Sequence, residues 1–312
     1  MDALDVSVVL LAPRDYEILQ KALAHLEQQS YPAARFEILI IDPIAIGESS
    51  DLLTRAIAGS PARIRVIPSQ TTCVAASRNL GIREARGRWI LFLDAELLAS
   101  PRLVEQHVRA QEQHGGECVV VGKVELHPQS LSRGVVRHRA LSDSPRFSHN
   151  QPLRFLDWRC WNLSASREAV LQNQGFDETF DVPGLEDVEF AWRLEEAGLQ
   201  GFYSDAASAY AWHAVPVDLE LARRYAEGFS LLRALDKTRS DVLANRYLGK
   251  GRRPWRAPGW MIAPFFRNVC GTTAGKVKPI AWICRRMEQY AVLQGYSDAR
   301  RGRPPRYRAQ LR

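Results

Sequence analysis

Short apolar runs that alternate with helical patterns are the feature that most constrains how this chain can fold. Apolar, β-branched stretches lie at Val6–Ala12, Phe36–Asp42 and Trp89–Leu93, and segments such as 15–32 place apolar residues at helical intervals between them. Strands that are apolar along their whole length are covered on both faces, as in parallel sheets built from βαβ units. The sequence therefore predicts an α/β fold with a mostly parallel central sheet and flanking helices.

The ends of the predicted strands are the places to look for chemistry, because ligands bind at the carboxyl ends of strands in such sheets. These ends fall at Ala12, Asp42 and Asp94. Asp94 and Glu96 are two residues apart, so in extended backbone their side chains leave the same side of the strand. Oxygen ligands in this arrangement suit Mg²⁺ or Mn²⁺, which takes one or two carboxylates and completes its shell with water and substrate phosphates.

The alternative for this acidic pair is that it only precedes a helix, where acids are common. The stretch ASPRLVEQH carries its own start signal, with Ser100 as the N-cap and Pro101 at the first helical position. Asp94 and Glu96 are then not needed for capping, which favours cation binding.

A second acidic pair, Glu186 and Asp187, begins a predicted amphipathic helix in the stretch GLEDVEFAWRLEEAG. A carboxylate in the first helical turn is favoured by free backbone N–H groups and by the helix dipole, which keep it ionised. An ionised carboxylate at the mouth of a pocket can accept a proton from an attacking hydroxyl. The alternative is that the two acids only complement the dipole.

Two blocks of the chain resemble family 2 glycosyltransferases, which have the GT-A fold and use nucleotide-sugar donors. In the first block, AASRNLGIREARGRWILFLDAELLASP, the family pattern A-R-N-x-G, then A-x-G, then an apolar strand ending in L-D-A-D is matched by Arg78, Asn79, Gly81, Ala85, Gly87, Leu93, Asp94, Ala95 and Glu96. In the second block, from Asn162 to His213, the matching residues are Gly175, Phe176, Asp177, Glu178, Phe180, Glu186, Asp187, Arg193, Leu194, Gly198 and His213.

The resemblance implies roles for the residues at both motifs. Asp94 and Glu96 stand at the family's D-x-D motif, with Glu96 as the metal contact, and His213 stands where some relatives complete the metal shell. Asp187 stands at the general base, and Glu186 supports it or contacts the acceptor. The nucleotide-sugar donor is expected at the following residues: Ala12, Asp42, Arg78, Asn79 and Asp94.

The chain also departs from the family pattern. Glu96 replaces the final Asp of D-x-D, and the first strand ends in LAPRD rather than P-x-Y-N. After the second strand, Pro43 follows Asp42 where a second acid normally binds the nucleotide base, and proline removes a backbone donor as well. Base recognition is therefore expected to differ, with Asp42 as the remaining acid.

The C-terminal part differs from the rest of the chain in charge. From Leu219 onward, 21 Lys and Arg residues stand against 6 Asp and Glu residues, whereas the preceding residues carry a net charge of −8. Aromatic residues, Trp255, Trp260, Phe265 and Phe266, are interspersed with the basic ones. This mixture is typical of a surface that lies on an anionic membrane, and a solvated helical cap is the alternative. With an acidic body and no nucleic-acid motif, no nucleic-acid partner is expected.

We therefore expect a GT-A-like domain at residues 1–215 and a basic, amphipathic helical extension at 216–312. The expected reaction is transfer of a sugar to a hydroxyl of a glycan or lipid-linked acceptor, with inversion at the anomeric carbon. The acidic N-terminus, the lack of long apolar runs and five scattered cysteines predict a cytoplasmic protein, peripheral on the inner face of the membrane.

Two other functions fit parts of the sequence. A catalytically degenerate relative that acts as a membrane-bound scaffold would explain Pro43 and the altered first strand. A nucleotidyltransferase with a similar sheet would normally have a glycine-rich basic loop after the first strand, and APRDYE contains no glycine.

Overall fold

The computed structural model describes residues 3–13, 16–42, 57, 60, 63–127, 147–212, 217–249 and 278–306. In these residues one sheet of nine strands is flanked by helices. The strands are β1 (Val6–Leu11), β2 (Phe36–Asp42), β3 (Arg63–Pro68), β4 (Trp89–Leu93), β5 (Leu97–Ala99), β6 (Val119–Leu126), β7 (Pro152–Leu153), β8 (Asn162–Ser166) and β9 (Gly201–Ala211). The helices are α1 (Tyr16–Glu27), α2 (Val74–Glu84), α3 (Leu103–Gln113), α4 (Arg167–Gln172), α5 (Glu186–Glu196), α6 (Val217–Thr238), α7 (Asp241–Leu248) and α8 (Lys278–Arg300), with short 3₁₀ turns at Ala33–Arg35 and Phe155–Asp157.

The sheet has the order β3-β2-β1-β4-β8-β6-β9-β5, with β7 paired to β9. Strands β3, β2, β1 and β4 run parallel, as the βαβ pattern predicts. Beyond β4 the sheet is mixed, because β8 runs antiparallel to both β4 and β6, and β9 runs parallel to β6 but antiparallel to β5. The carboxyl ends of β1, β2 and β4 therefore lie along one edge, which the start of β8 joins.

Two apolar layers cover the faces of the sheet. On β1 and β2, Val9 and Leu39 belong to one buried cluster, while Val8 and Ile38 belong to the cluster on the opposite face. Successive side chains on a strand point to opposite faces, so only an unbroken apolar run buries both. The prediction of an α/β fold with flanking helices is confirmed.

The predicted start of the helix after the acidic pair is wrong. Helix α3 begins at Leu103, two residues after Pro101, and the side chain of Ser100 does not cap it. The backbone N–H of Val104 instead donates to Oε1 of Gln29, 3.0 Å away, two residues after the end of α1. Strand β5 also lies between Glu96 and α3. Asp94 and Glu96 are therefore not at a helix start. The capping alternative is removed because β5 separates them from α3, and not because Ser100 caps the helix.

Gly87, one of the residues that match the family pattern, packs closely against strand β1. Helix α2 ends at Glu84, and Gly87 lies beyond it, against the backbone of β1. A Cβ at Gly87 would come within 2.5 Å of the backbone N of Ser7, so this close approach requires glycine.

Helices α6 and α8 cross at very short range. A Cβ at Gly228 of α6 would overlap the carbonyl oxygen of Val292 in α8, and a Cβ at Gly295 would overlap that of Tyr225. These pairings also show that the two helices run in opposite directions. The stretch 250–277, which contains the four aromatic residues of the membrane prediction, lies outside the described residues. Among the residues that are described, no helix combines the length and apolar character needed to cross a membrane.

Candidate active site

The first acidic pair is held between two neighbouring strands at the edge of the sheet. Asp94 follows the last residue of β4, and its backbone N–H donates to the carbonyl oxygen of Trp161, 2.9 Å away, just before β8. The carbonyl oxygen of Glu96 accepts the backbone N–H of Trp212, after β9, at 3.3 Å. These backbone bonds fix the D-x-E turn where the parallel and mixed halves of the sheet meet.

The surroundings of this turn disfavour the ionised form of Asp94. Burial, reinforced by the nearby carboxylate of Glu96, raises the pKa of Asp94 from its ordinary 3.8 to about 7, against the opposing influence of Arg78 and Arg223. Arg223 of α6 places its Nη2 3.7 Å from Oε1 of Glu96. The raised pKa indicates that the nearby cations do not compensate the ionised Asp94 fully.

The second acidic pair occupies the first turn of α5, as predicted. Oε1 of Glu186 accepts a hydrogen bond from Nη1 of Arg78 at 2.9 Å, and Oε2 accepts the backbone N–H of Gly184 at 2.7 Å. Glu186 is therefore held by both carboxylate oxygens, which fits a supporting role better than proton transfer.

Asp187 is held differently. Its side chain is 5 % exposed, and its Oδ2 lies 3.0 Å from Nε of Arg159. Its Oδ1 accepts the backbone N–H of Val188 at 2.9 Å. One ion pair and one backbone hydrogen bond thus orient this carboxylate, with lone pairs left for a proton.

Arg78 links the two acidic pairs. It is buried on α2, is paired with Glu186, and interacts electrostatically with Asp94 and Asp187 as well. Burial disfavours its charge, but Cys160 and these three carboxyl groups outweigh burial and raise the pKa of Arg78. Residues separated by about ninety positions in the sequence therefore surround one buried guanidinium.

The other residues predicted to bind the donor have distinct surroundings. Ala12 is buried after β1, and its N–H donates to the carbonyl oxygen of Ile41 at 2.9 Å. Asp42 ends β2, is fully buried, and accepts the hydroxyl of Tyr16 on Oδ2 at 3.1 Å. Both lie on the predicted edge of the sheet, and their contact with a donor stays a prediction.

Asn79 is hydrogen-bonded to a neighbouring loop, and its contact with a donor stays a prediction. Its Oδ1 accepts the N–H of Phe176 at 2.7 Å, and its Nδ2 donates to the carbonyl oxygen of Phe176 and to Oε1 of Glu178. The amide is thereby committed on both sides to the loop before α5. Asn79 joins α2 to that loop and so places Arg78 beside Glu186.

Two predicted positions, His213 and Pro43, lie outside the described residues. Among the side chains that are described, no three Asp, Glu, His or Cys residues converge as metal ligands. The described candidates for a cation site are thus the two carboxylates of Asp94 and Glu96.

Sequence reasoning missed three residues of this site: Arg159, Arg223 and Glu227. Arg159 stands between the two tryptophans of DWRCWN, of which Trp158 is a core residue and Trp161 lies 5.3 Å beneath the Arg159 guanidinium. Arg223 and Glu227 are one turn apart in a helix that reads as simply amphipathic. A charged residue on a helix normally faces water. Only the tertiary contacts therefore distinguish Arg223 and Glu227 from ordinary surface residues.

The sequence matches the family model described as Glycosyl transferase family 2 over residues 7–166, about half of the chain. The chain belongs to this family. The match ends before Glu186, so α5 and the C-terminal helices lie outside it. No curated protein matches the chain in sequence.

Solved structures of glycosyltransferases have the same fold. A mannosyltransferase from Pyrobaculum calidifontis, PcManGT, solved with GDP-Man and Mn²⁺, aligns with a TM-score of 0.65 at 16 % identity, over 97 % of this chain and 89 % of the other. TarS 1–349 from S. aureus aligns with a TM-score of 0.57 at 14 % identity, over 97 % and 93 %. The same TarS fragment with UDP-GlcNAc aligns with a TM-score of 0.56 at 16 % identity. At such identities the likeness shows the GT-A fold.

Proposed function

We propose that this protein transfers a sugar from a nucleoside diphosphate sugar to a hydroxyl group, with inversion at the anomeric carbon. The observation that carries the proposal is the arrangement around Arg78, which pairs with Glu186 and interacts with Asp94 and Asp187. This arrangement puts a candidate cation site and a candidate general base at one edge of the sheet.

Asp94 and Glu96 fit the cation that the family implies. They offer two carboxylates at one turn, and a bound cation would offset the cost of keeping the buried Asp94 carboxylate ionised. Mg²⁺ and Mn²⁺ commonly take two protein carboxylates and fill the remaining positions with phosphate oxygens and water. When bound, such a cation neutralises charge on a departing nucleoside diphosphate. His213 remains a proposed third ligand.

Asp187 is the proposed general base. As the acceptor oxygen forms its bond to the anomeric carbon, the bond from that carbon to the β-phosphate oxygen breaks, and the acceptor proton passes to the carboxylate of Asp187. The contacts with Arg159 and Val188 keep this carboxylate in one orientation, which proton transfer requires. Glu186 supports the site by holding Arg78.

The donor contacts are proposed at this same edge of the sheet. The proposed donor contacts are Ala12, Asp42, Arg78, Asn79 and Asp94. The similar structures solved with UDP-GlcNAc and GDP-Man define the first donors to test. We further propose a glycan or lipid-linked acceptor of the cell envelope, with the basic C-terminal part, 216–312, on an anionic membrane. Vesicles of anionic and neutral lipid would separate membrane binding from a solvated helical cap.

A donor screen tests the reaction itself. Nucleotide sugars of several bases and sugars are incubated with the protein and Mn²⁺, and released nucleotide is measured by mass spectrometry, including slow hydrolysis without an acceptor. Calorimetric titrations of the same panel with and without Mn²⁺ accompany it. Absence of metal-dependent binding across the panel would favour the catalytically degenerate scaffold instead.

Asp187→Asn tests the base. The amide cannot accept the proton, so transfer falls by at least about 10²-fold, whereas donor affinity stays close to that of the unmodified protein. Initial rates and calorimetry measure the two quantities separately. Turnover at the unmodified rate would refute the assignment of Asp187.

Glu96→Gln tests the cation site. The amide is a poorer ligand for a hard cation, so the gain in donor affinity that Mn²⁺ provides shrinks by about tenfold or more. The ratio of donor dissociation constants with Mn²⁺ and with EDTA is the measurement. An unchanged ratio would show that Glu96 holds no cation.

A further inference from the structure

Arg159 is a buried cation with partners on three elements. Its side chain is 12 % exposed, and the guanidinium contacts Asp187 of α5 through Nε, Glu227 of α6 through Nη2 at 3.7 Å, and the hydroxyl of Tyr247 in α7 through Nη1 at 3.4 Å. The ring of Trp161 lies beneath it. A guanidinium in such surroundings remains charged and must be balanced by acids, because an unpaired buried charge is strongly unfavourable.

Glu227 is the acid that shares this guanidinium with Asp187. It is fully buried on α6, an unusual place for a glutamate, and is also paired with Arg224 one turn earlier at 3.2 Å. With Glu227 present, Arg159 is held from the side of α6 as well as from the side of α5. The position of the guanidinium is therefore set by α6 and not by Asp187 alone.

The loop that precedes Asp187 is fastened to the same helix. Gly184 has φ of 156° and lies so close to α6 that a Cβ there would be 2.8 Å from the Cα of Glu227. Two residues earlier, the carbonyl oxygen of Val182 accepts the hydroxyl of Ser230 at 2.7 Å. Helix α6 thus fixes both the backbone that leads to Asp187 and the cation that orients its carboxylate.

We propose that Arg159 is the positioning residue of Asp187 and that Glu227 holds Arg159 in place, so that helix α6 belongs to the transfer machinery. This inference rests on the proposed function. It extends the working site beyond residues 7–166, the part that the family model matches. Arg159 acts through Asp187 rather than on the donor.

Arg159→Gln is the first test. Loss of orientation lowers kcat by about 10²-fold, while the KM for the donor that turns over in the screen stays within about threefold. Arg159→Lys keeps the charge and restores part of kcat. The matched control is Arg154→Gln, which removes an exposed ion pair with Glu195 in the same segment and leaves kcat unchanged. A raised KM with normal kcat would overturn the proposal, because it would make Arg159 a donor contact.

A folding defect is separated from mispositioning by a second variant. Arg159→Gln alone removes one of the cations that balance the buried charge of Glu227. The paired variant R159Q/E227Q removes one positive and one negative charge, so the net charge of the interior is unchanged, and it is measured beside the single variant. Calorimetric titration with UDP or GDP and Mn²⁺ counts the folded sites in every preparation. The proposal requires low kcat per nucleotide-binding site in both variants, and normal kcat in the paired variant overturns it.

A double-mutant cycle shows whether Arg159 acts through Asp187. On the Asp187→Asn background, Arg159→Gln causes no more than about a twofold further loss, because the carboxylate that it orients is already gone. If Arg159→Gln lowers kcat on the Asp187→Asn background by the same factor as in the unmodified protein, the proposal is overturned. The outcomes also separate the two hypotheses: normal turnover of Asp187→Asn refutes the proposed base, whereas an inactive Asp187→Asn with normal Arg159→Gln refutes only the positioning role.

Discussion

Asp94→Asn is expected to make the metal-free protein more stable while it removes a residue that the proposed reaction needs. Burial and the neighbouring Glu96 raise the pKa of Asp94 from 3.8 to about 7. At pH values above 7, the ionised carboxylate therefore lowers the stability of the folded protein. Asparagine has nearly the same shape and no charge. The variant therefore avoids this cost in the absence of a cation.

The size of the effect follows from the two pKa values. Their separation corresponds to about 4 kcal/mol in the free energy of unfolding at pH 8, where Asp94 is ionised in both the folded and the unfolded state. Because the residue remains partly exposed, water screens part of this cost, and we expect a stabilisation of about 2 kcal/mol. The sign follows from linkage: the cost is absent well below pH 3.8, where both states are protonated, and grows as the pH rises from about 4 to 7.

Urea unfolding with EDTA, followed by tryptophan fluorescence at pH 8 and at pH 4.5, measures the difference. Asp94→Asn should be more stable than the unmodified protein at pH 8, and the gap should nearly close at pH 4.5. Asp236→Asn, at an exposed position of α6, is the matched control and should give less than about 0.5 kcal/mol at either pH. A destabilised Asp94→Asn at pH 8, or a gap independent of pH, would refute the electrostatic reading of this turn.

Two further predictions concern stability away from the acidic pairs. His107 is buried between Asn162 and Ser164, and burial lowers its pKa from 6.5 to about 4. The unfolded state therefore takes up a proton first as the pH falls from 6.5 to 4, which costs the folded protein about 3 kcal/mol. His107→Gln, less stable at pH 7, should show a flatter pH dependence in urea unfolding, and an equal slope would contradict this. Gly228→Ala would force α6 and α8 apart and destabilise the protein by about 1–3 kcal/mol, measured by thermal unfolding. An unchanged Tm would contradict the close crossing.

Much of the fold was predictable because local patterns encode it. The unbroken apolar runs of β1, β2 and β4 identify strands buried on both faces, and the resemblance to family 2 locates both acidic pairs. The order of the later strands was not predictable, because β8 and β9 pair with partners that are remote in sequence. Helix starts were also harder to predict, since the N–H of Val104 is satisfied by Gln29 rather than by Ser100.

The candidate site divides in the same way. The sequence by itself determined the parallel half of the sheet, the placement of Asp94 at a strand end and of Asp187 in a first helical turn, because periodicity and motif spacing are local properties. Only the tertiary structure decided that Arg78 joins the two acidic pairs, that Asn79 serves the loop, and that Arg159 and Arg223 face carboxylates. Partner choice among charged side chains depends on burial and on contacts across distant segments, and no pattern along one segment records it.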